Sequence, residues 1–300
     1  MGLAPPTWRR EHARRWSPRS RSALLVACSA VASLAYAPGR IVLADEFPAG
    51  LASCECALAN DTEECPRQTA NFLVRSFVGG PAAADVAAHC ERLRDHLGRE
   101  VFDFDASARW QRKCVVVLHA SRSAYARAVG PGGTQTVGSS NVSFSAGRIT
   151  QRRIDLLAAD ADKGLAALPH ELVHVLFADA FPITPPPKWA EEGFALLLDS
   201  PDKQARHRRD LATAFASRTT LPLHRLLADP NYPSPAHRAA FYAQSLSLVE
   251  YLTANQSPKV FIRFVKLSLD RGHDEALQNI YGLNTHAAER DWRERTLSGT

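Results

Sequence analysis

The chain has 300 residues, 45% of them hydrophobic and 22% charged, a balance that can bury a substantial core and excludes a disordered or fibrous protein. Its formal net charge of +5 is not a nucleic-acid signature, because residues 1–44 hold seven arginines against a single acid, Glu11, and the remainder is close to neutral. No basic stripe interleaved with aromatics runs through that remainder, so nucleic acid is set aside as a partner.

Residues 1–44 read as an export signal: arginines through Arg21, an apolar stretch from Ala23 to Ala37, then small-residue cleavage positions at Ala44 and Ala37. Arg14-Arg15-Trp16-Ser17 resembles part of a twin-arginine signal, and Leu25-Val26-Ala27-Cys28 resembles a lipoprotein box. About 15 apolar residues interrupted by serines fall short of the roughly 20 a membrane-spanning helix needs, and no other stretch comes closer. The expected destination is secreted, periplasmic or cell-envelope associated. Cys54, Cys56, Cys65, Cys90 and Cys114 lie beyond the leader, and an oxidising compartment predicts at most two disulfides with one thiol left over, their connectivity open.

Residues 45–130 form the first expected unit, with a cysteine-rich start. Asn71 to Phe77 alternates as a strand, and Val86, Cys90, Leu93 and Leu97 recur at spacings of four, three and four, one face of a helix over 82–98. Cys114 to Leu118 reads as a core strand and Ser121 to Val129 as a short helix. Gly130 to Gly147, dense in Gly, Ser, Thr and Asn, reads as a loop that opens the second unit, residues 131–300. There Arg148 to Leu157 is a strand, and Leu165, Leu168, Leu172 and Leu176 carry a helix to Phe177. A proline-rich break at 182–187 precedes helices over 188–199, 205–216, 236–254, 258–270 and 284–297. Strands first and helices afterwards predict an α+β fold, mostly helical after a small β-containing region.

His170-Glu171-Leu172-Val173-His174 is an H-E-x-x-H motif inside the helical pattern. Residues four apart share a helical face, so both imidazoles can meet one zinc ion, with Glu171 beside it as general base for a bound water. A third ligand must come from elsewhere. Gly and His are missing three and six residues after His174, where Phe177 and Ala180 stand, which removes the metzincin pattern. Trp189-Ala190-Glu191-Glu192-Gly193-Phe194-Ala195 follows. Glu191 and Glu192 diverge by about 100° on a helix, so one of them can face the metal.

H-E-x-x-H followed by W-x-x-E-G-x-A resembles the gluzincin metallopeptidases, and Phe241-Tyr242-Ala243-Gln244-Ser245 ahead of Leu248-Val249-Glu250-Tyr251-Leu252 resembles the helix that follows the zinc helices in the peptidase MA-like family. The resemblance covers residues 148–255. It implies a zincin-like catalytic domain with zinc held by His170, His174 and Glu192, the last 18 residues beyond His174. It also implies Glu171 as catalytic base, a peptide or protein substrate, and Tyr242 as the phenol for the oxyanion. A packed core tyrosine is the alternative for Tyr242, which shares a face with Leu246 and Val249, and His237 is a second contender for the role. The strand over 148–157 resembles the family's edge strand for an extended peptide. This chain departs from the aminopeptidase pattern: it lacks G-x-M-E-N, its one methionine being Met1, so cleavage is expected within the chain rather than at its end. Asp199, Asp179 and Glu250 are all candidates for orienting the ligand histidines. The basic run Lys203 to Arg209 reads as a solvated helix face. A zinc-containing envelope scaffold without turnover, or a zinc hydrolase of a non-peptide bond, are the rival functions; intact Glu171 argues against the first.

Overall fold

The computed structural model describes residues 24–28, 66–78, 83–105, 107–159 and 164–298. Apart from a strand at Leu24–Cys28, the leader with its cleavage positions lies outside the described residues, as do Cys54, Cys56 and Cys65. The fold is α+β and mostly helical. Its sheet consists of β1 (Leu24–Cys28), β2 (Arg67–Gln68), β3 (Phe72–Ser76), β4 (Cys114–His119), β5 (Gly138–Ser145) and β6 (Arg148–Leu157), in the order β1-β5-β6-β4-β3-β2. β3, β4 and β6 run parallel, and β5 returns antiparallel on β6.

The parallel strands need crossovers, supplied by α1 (Ala83–Leu97) between β3 and β4 and by α2 (Arg122–Val129) after β4. Phe72, Val74, Val116, Leu118, Ile154 and Leu156 are fully buried on one face of the sheet, where the inward face of α1 meets them with Val86, Cys90, Leu93 and Leu97. Strands and helices from both sides of residue 130 therefore share one sheet and one apolar core.

Three findings differ from the expectations. Gly138–Ser145 is a strand rather than loop, and it reaches β6 through Ala146 and Gly147, both at positive φ (50° and 75°), the backbone of a tight two-residue hairpin turn. β6 is consequently an interior strand between β4 and β5, not the edge; β5 lies farther out and carries β1 antiparallel along its outer side. Cys90 and Cys114 are free thiols, not disulfide partners. Both are completely buried as small apolar side chains, and burial pushes both thiols up, so they stay protonated and inert.

Beyond the sheet the chain is helical: α3 (Leu168–Ala180), α4 (Lys188–Leu196), α5 (Pro201–Ala216), α6 (Leu223–Ala228), α7 (Arg238–Thr253), α8 (Pro258–Arg271), α9 (His273–Tyr281) and α10 (Thr285–Ser298). α6 and α9 are additions to the helices read from periodicity; each is short and follows a turn. α3 lies on β5 and β6 and is buried from His170 to Phe177. Its last turn is tied to the sheet by an ion pair from Arg152 on β6 to Asp179, and the guanidinium of Arg152 also lies 4.6 Å from the centre of the Trp110 ring. α4 is buried along its whole length between α3 and α7. Phe194 of α4 stacks on Phe261 of α8 at 5.7 Å and meets Phe177 of α3 edge-on at 6.0 Å. Each such buried ring contributes about 1.5–3 kcal/mol and fixes α4 against α3. Among the described residues no helix is long and apolar enough to cross a membrane.

Candidate metal centre

Pro169 opens α3 in its first turn, where its missing N–H costs nothing, and so sets His170 and Glu171 at the start of the helix and His174 one turn on. The two imidazoles face the same way, their ring centroids 5.0 Å apart. α4 supplies the third group. His170, His174 and Glu192 each offer a ligand atom, all within 4.8 Å of one another, and all three residues are buried.

Each histidine has a carboxylate beside its Nδ1, and each of those carboxylates is ion-paired with a lysine. His174 Nδ1 lies 2.9 Å from Glu191 Oε1, and Lys188 Nζ donates to Glu191 Oε2 at 2.6 Å. His170 Nδ1 lies 3.2 Å from Asp199 Oδ1, with Lys203 Nζ 2.6 Å from Asp199 Oδ2. A proton on His174 Nδ1, facing Glu191, leaves its Nε2 with a lone pair, and the Nε2 atoms of both histidines are buried with no hydrogen-bond partner. The outer carboxylates are thus Glu191 and Asp199. The other two candidates are engaged elsewhere, Asp179 with Arg152 and Glu250 with Arg208 at 2.5 Å.

Charge in this pocket favours a cation. Formally, the four buried carboxylates of Glu171, Glu191, Glu192 and Asp199 face the two lysines Lys188 and Lys203, an excess that one divalent ion would cancel. Burial disfavours a charged His174, yet Glu192 and Glu191 outweigh it and raise that imidazole to about 9. Burial also opposes the charge of Glu191, but His174 and Lys188 hold its carboxyl down to about 2. The donor set, two imidazoles and a carboxylate with oriented outer partners, fits zinc.

Glu171 stands beside this cluster, fully buried. Its Oε2 accepts a hydrogen bond from Ser140 Oγ of β5 at 2.8 Å, while Oε1 has no partner. Burial raises its carboxyl above the usual range, against the pull of His170, His174 and Ser140. The approach of β5 depends on small residues: a Cβ at Gly138 would meet Glu171 Oε1 at 2.8 Å.

Tyr242, on α7, packs its half-buried ring 6.4 Å from that of Tyr232 and 6.4 Å from that of His207. It is Tyr232 whose hydroxyl donates to Glu192 Oε1. Tyr232 lies between Pro230 and Pro233, and no periodicity in the sequence points to it. His237 is exposed, its Nδ1 3.1 Å from Ser234 Oγ, the solvated position expected of a helix-start histidine.

The family model of the Peptidase MA superfamily matches residues 136–298, a span that opens just before β5, takes in the whole cluster and ends with α10. No curated protein and no solved structure matches the chain.

Proposed function

The chain belongs to the Peptidase MA superfamily, and from that premise we propose that it is a zinc-dependent metallopeptidase that hydrolyses internal bonds of peptide or protein substrates. Members of the superfamily are typically zinc-dependent. The observation that carries the assignment is the buried His170, His174 and Glu192 cluster with Glu171 beside it.

When bound, zinc lowers the pKa of a water to about 7 and polarises a substrate carbonyl. The chain's own groups do the rest. Glu171 takes the water's proton on Oε1, the oxygen that Ser140 leaves unengaged, and returns it to the departing amine. Burial raises its pKa, which makes the carboxylate a better proton acceptor than one in the ordinary range. Glu191 and Asp199 keep the ligand histidines in the tautomer that presents Nε2. Tyr242, in the aromatic wall that also holds Tyr232, is the phenol the family resemblance assigns to the oxyanion.

An extended substrate fits the outer side of β5, which runs past Glu171 and in the structure accepts Leu24–Cys28 as an antiparallel strand. Removal of the leader at Ala44 or Ala37 on export would open that side. The absence of a G-x-M-E-N segment to grip a free amine supports internal cleavage.

The test is metal analysis of the purified chain and of Glu192→Gln under chelator competition, followed by a panel of peptides with blocked ends. One zinc per chain is expected, weakened about tenfold or more in the variant, together with cleavage at internal bonds. A well-folded chain that takes no zinc, or a variant that holds it as tightly, would overturn the assignment.

A further inference from the structure

Tyr232 lies in the irregular stretch between α6 and α7, yet that stretch is built onto the helix that carries Glu192. The backbone N–H of Lys188, the first residue of α4, donates to the carbonyl of Pro230 at 3.4 Å. Asp229 Oδ1 accepts from the backbone N–H of Asn231 at 2.9 Å, a local turn that fixes the chain just before the tyrosine. The ring is then enclosed by the rings of Phe241 and Tyr242 at 5.9 and 6.4 Å, the ammonium of Lys188 at 5.6 Å and the guanidinium of Arg238 at 5.7 Å.

Held in this way, the hydroxyl has little freedom and points at one oxygen of a fully buried carboxylate. Lys188 serves both sides of the cluster: its ammonium bonds Glu191, which orients His174, and also lies against the ring of Tyr232, which contacts Glu192. Glu192 has the same need of orientation as the histidines, because a carboxylate rotates about its last bond and can present either oxygen, or both, to a metal.

We propose that Tyr232 is the positioning residue for Glu192: its hydroxyl engages one carboxylate oxygen and so presents the other to the metal, as Glu191 and Asp199 do for the histidines. This rests on the zinc reading of the cluster. Of the two tyrosines in one aromatic wall, it gives metal-ligand positioning to Tyr232, whose hydroxyl reaches Glu192 Oε1.

The experiment compares the full chain with Tyr232→Phe and Tyr242→Phe, each of which removes one oxygen and keeps the packed ring. Zinc affinity is measured by competition with a chromogenic chelator, and the visible absorption of the cobalt(II)-loaded proteins is recorded. Tyr232→Phe should weaken zinc by about 10–100-fold and shift the cobalt bands, and Tyr242→Phe should do neither. Unchanged or tighter zinc in Tyr232→Phe, or an equal loss in both variants, overturns the proposal. Failure of the unmodified chain to bind zinc or cobalt overturns the zinc reading itself, and the proposal with it; a chain that binds zinc normally while Tyr232→Phe matches it sinks the proposal alone.

Discussion

Glu171→Gln is expected to lower peptide hydrolysis by about 10²–10⁴-fold while the zinc content stays the same. Glutamine has the shape of glutamate and can still accept the Ser140 hydroxyl, so the pocket next to His170 and His174 is preserved. What disappears is the oxygen able to take a proton. The loss should fall on kcat with KM nearly unmoved, because the interaction is made as the proton transfers and not when substrate binds. Stability should move the other way or not at all: Glu171 is fully buried, and burial first and then the neighbouring Glu192 carboxylate push its pKa up, so a neutral amide removes a desolvation cost. Steady-state kinetics, metal analysis and thermal melting of the metal-free protein check the three parts. Undiminished turnover in the variant would remove Glu171 from the chemistry.

Gly193→Ala is expected to destabilise the chain by about 2 kcal/mol and to loosen the metal site with it. α4 passes so close to α7 at this glycine that a Cβ would fall on the carbonyl oxygen of Ser245 and lie 2.7 Å from both its carbonyl carbon and Val249 Cγ2. Two of these are backbone atoms of a packed helix and cannot swing aside, so overpacking should reach about 3 kcal/mol. Alanine's better helix propensity returns about 1 kcal/mol. The clash wins, and for a chain of this size the net should appear as roughly 4–8 °C in melting temperature. Glu192 precedes the displaced residue, so zinc affinity should fall in the same variant. An unchanged melting temperature would mean that the two helices are not packed as described.

The same glycine shows what was legible in the sequence. His170 and His174 declare themselves through helical spacing, and Glu171 through its place between them. The choice of Glu192 over Glu191 rested on resemblance to a family, since helix geometry only requires that the two diverge; the fold adds that Glu191 turns to His174 and Lys188. Asp199 was one of three carboxylates that nothing local could rank, because its partner is 29 residues earlier in the chain. Tyr232 was invisible, set in a proline-bounded stretch where neither period two nor period 3.6 operates. β5 reads as a loop in the sequence for a physical reason: an apolar alternation marks strands that face a core, whereas Gly138 and Ser140 face a buried carboxylate and must be small or polar. Cys90 lies on the buried stripe that its helical spacing predicts, but burial there serves packing and not cross-linking.

The parallel pairing of β4 with β6 has a consequence for anyone who would cut the protein down. Residues 136–298 hold every residue of the metal cluster, yet a fragment of that extent would leave Arg152–Leu157 without the strand that pairs with it from Cys114 to His119. It would also strip α1 from the apolar face on which Ile154 and Leu156 are now fully covered. An open row of backbone donors and acceptors beside bare aliphatic side chains is a template for self-association. Such a truncation should emerge as aggregate rather than as a minimal enzyme, and supplying residues 66–130 in the same chain should restore solubility.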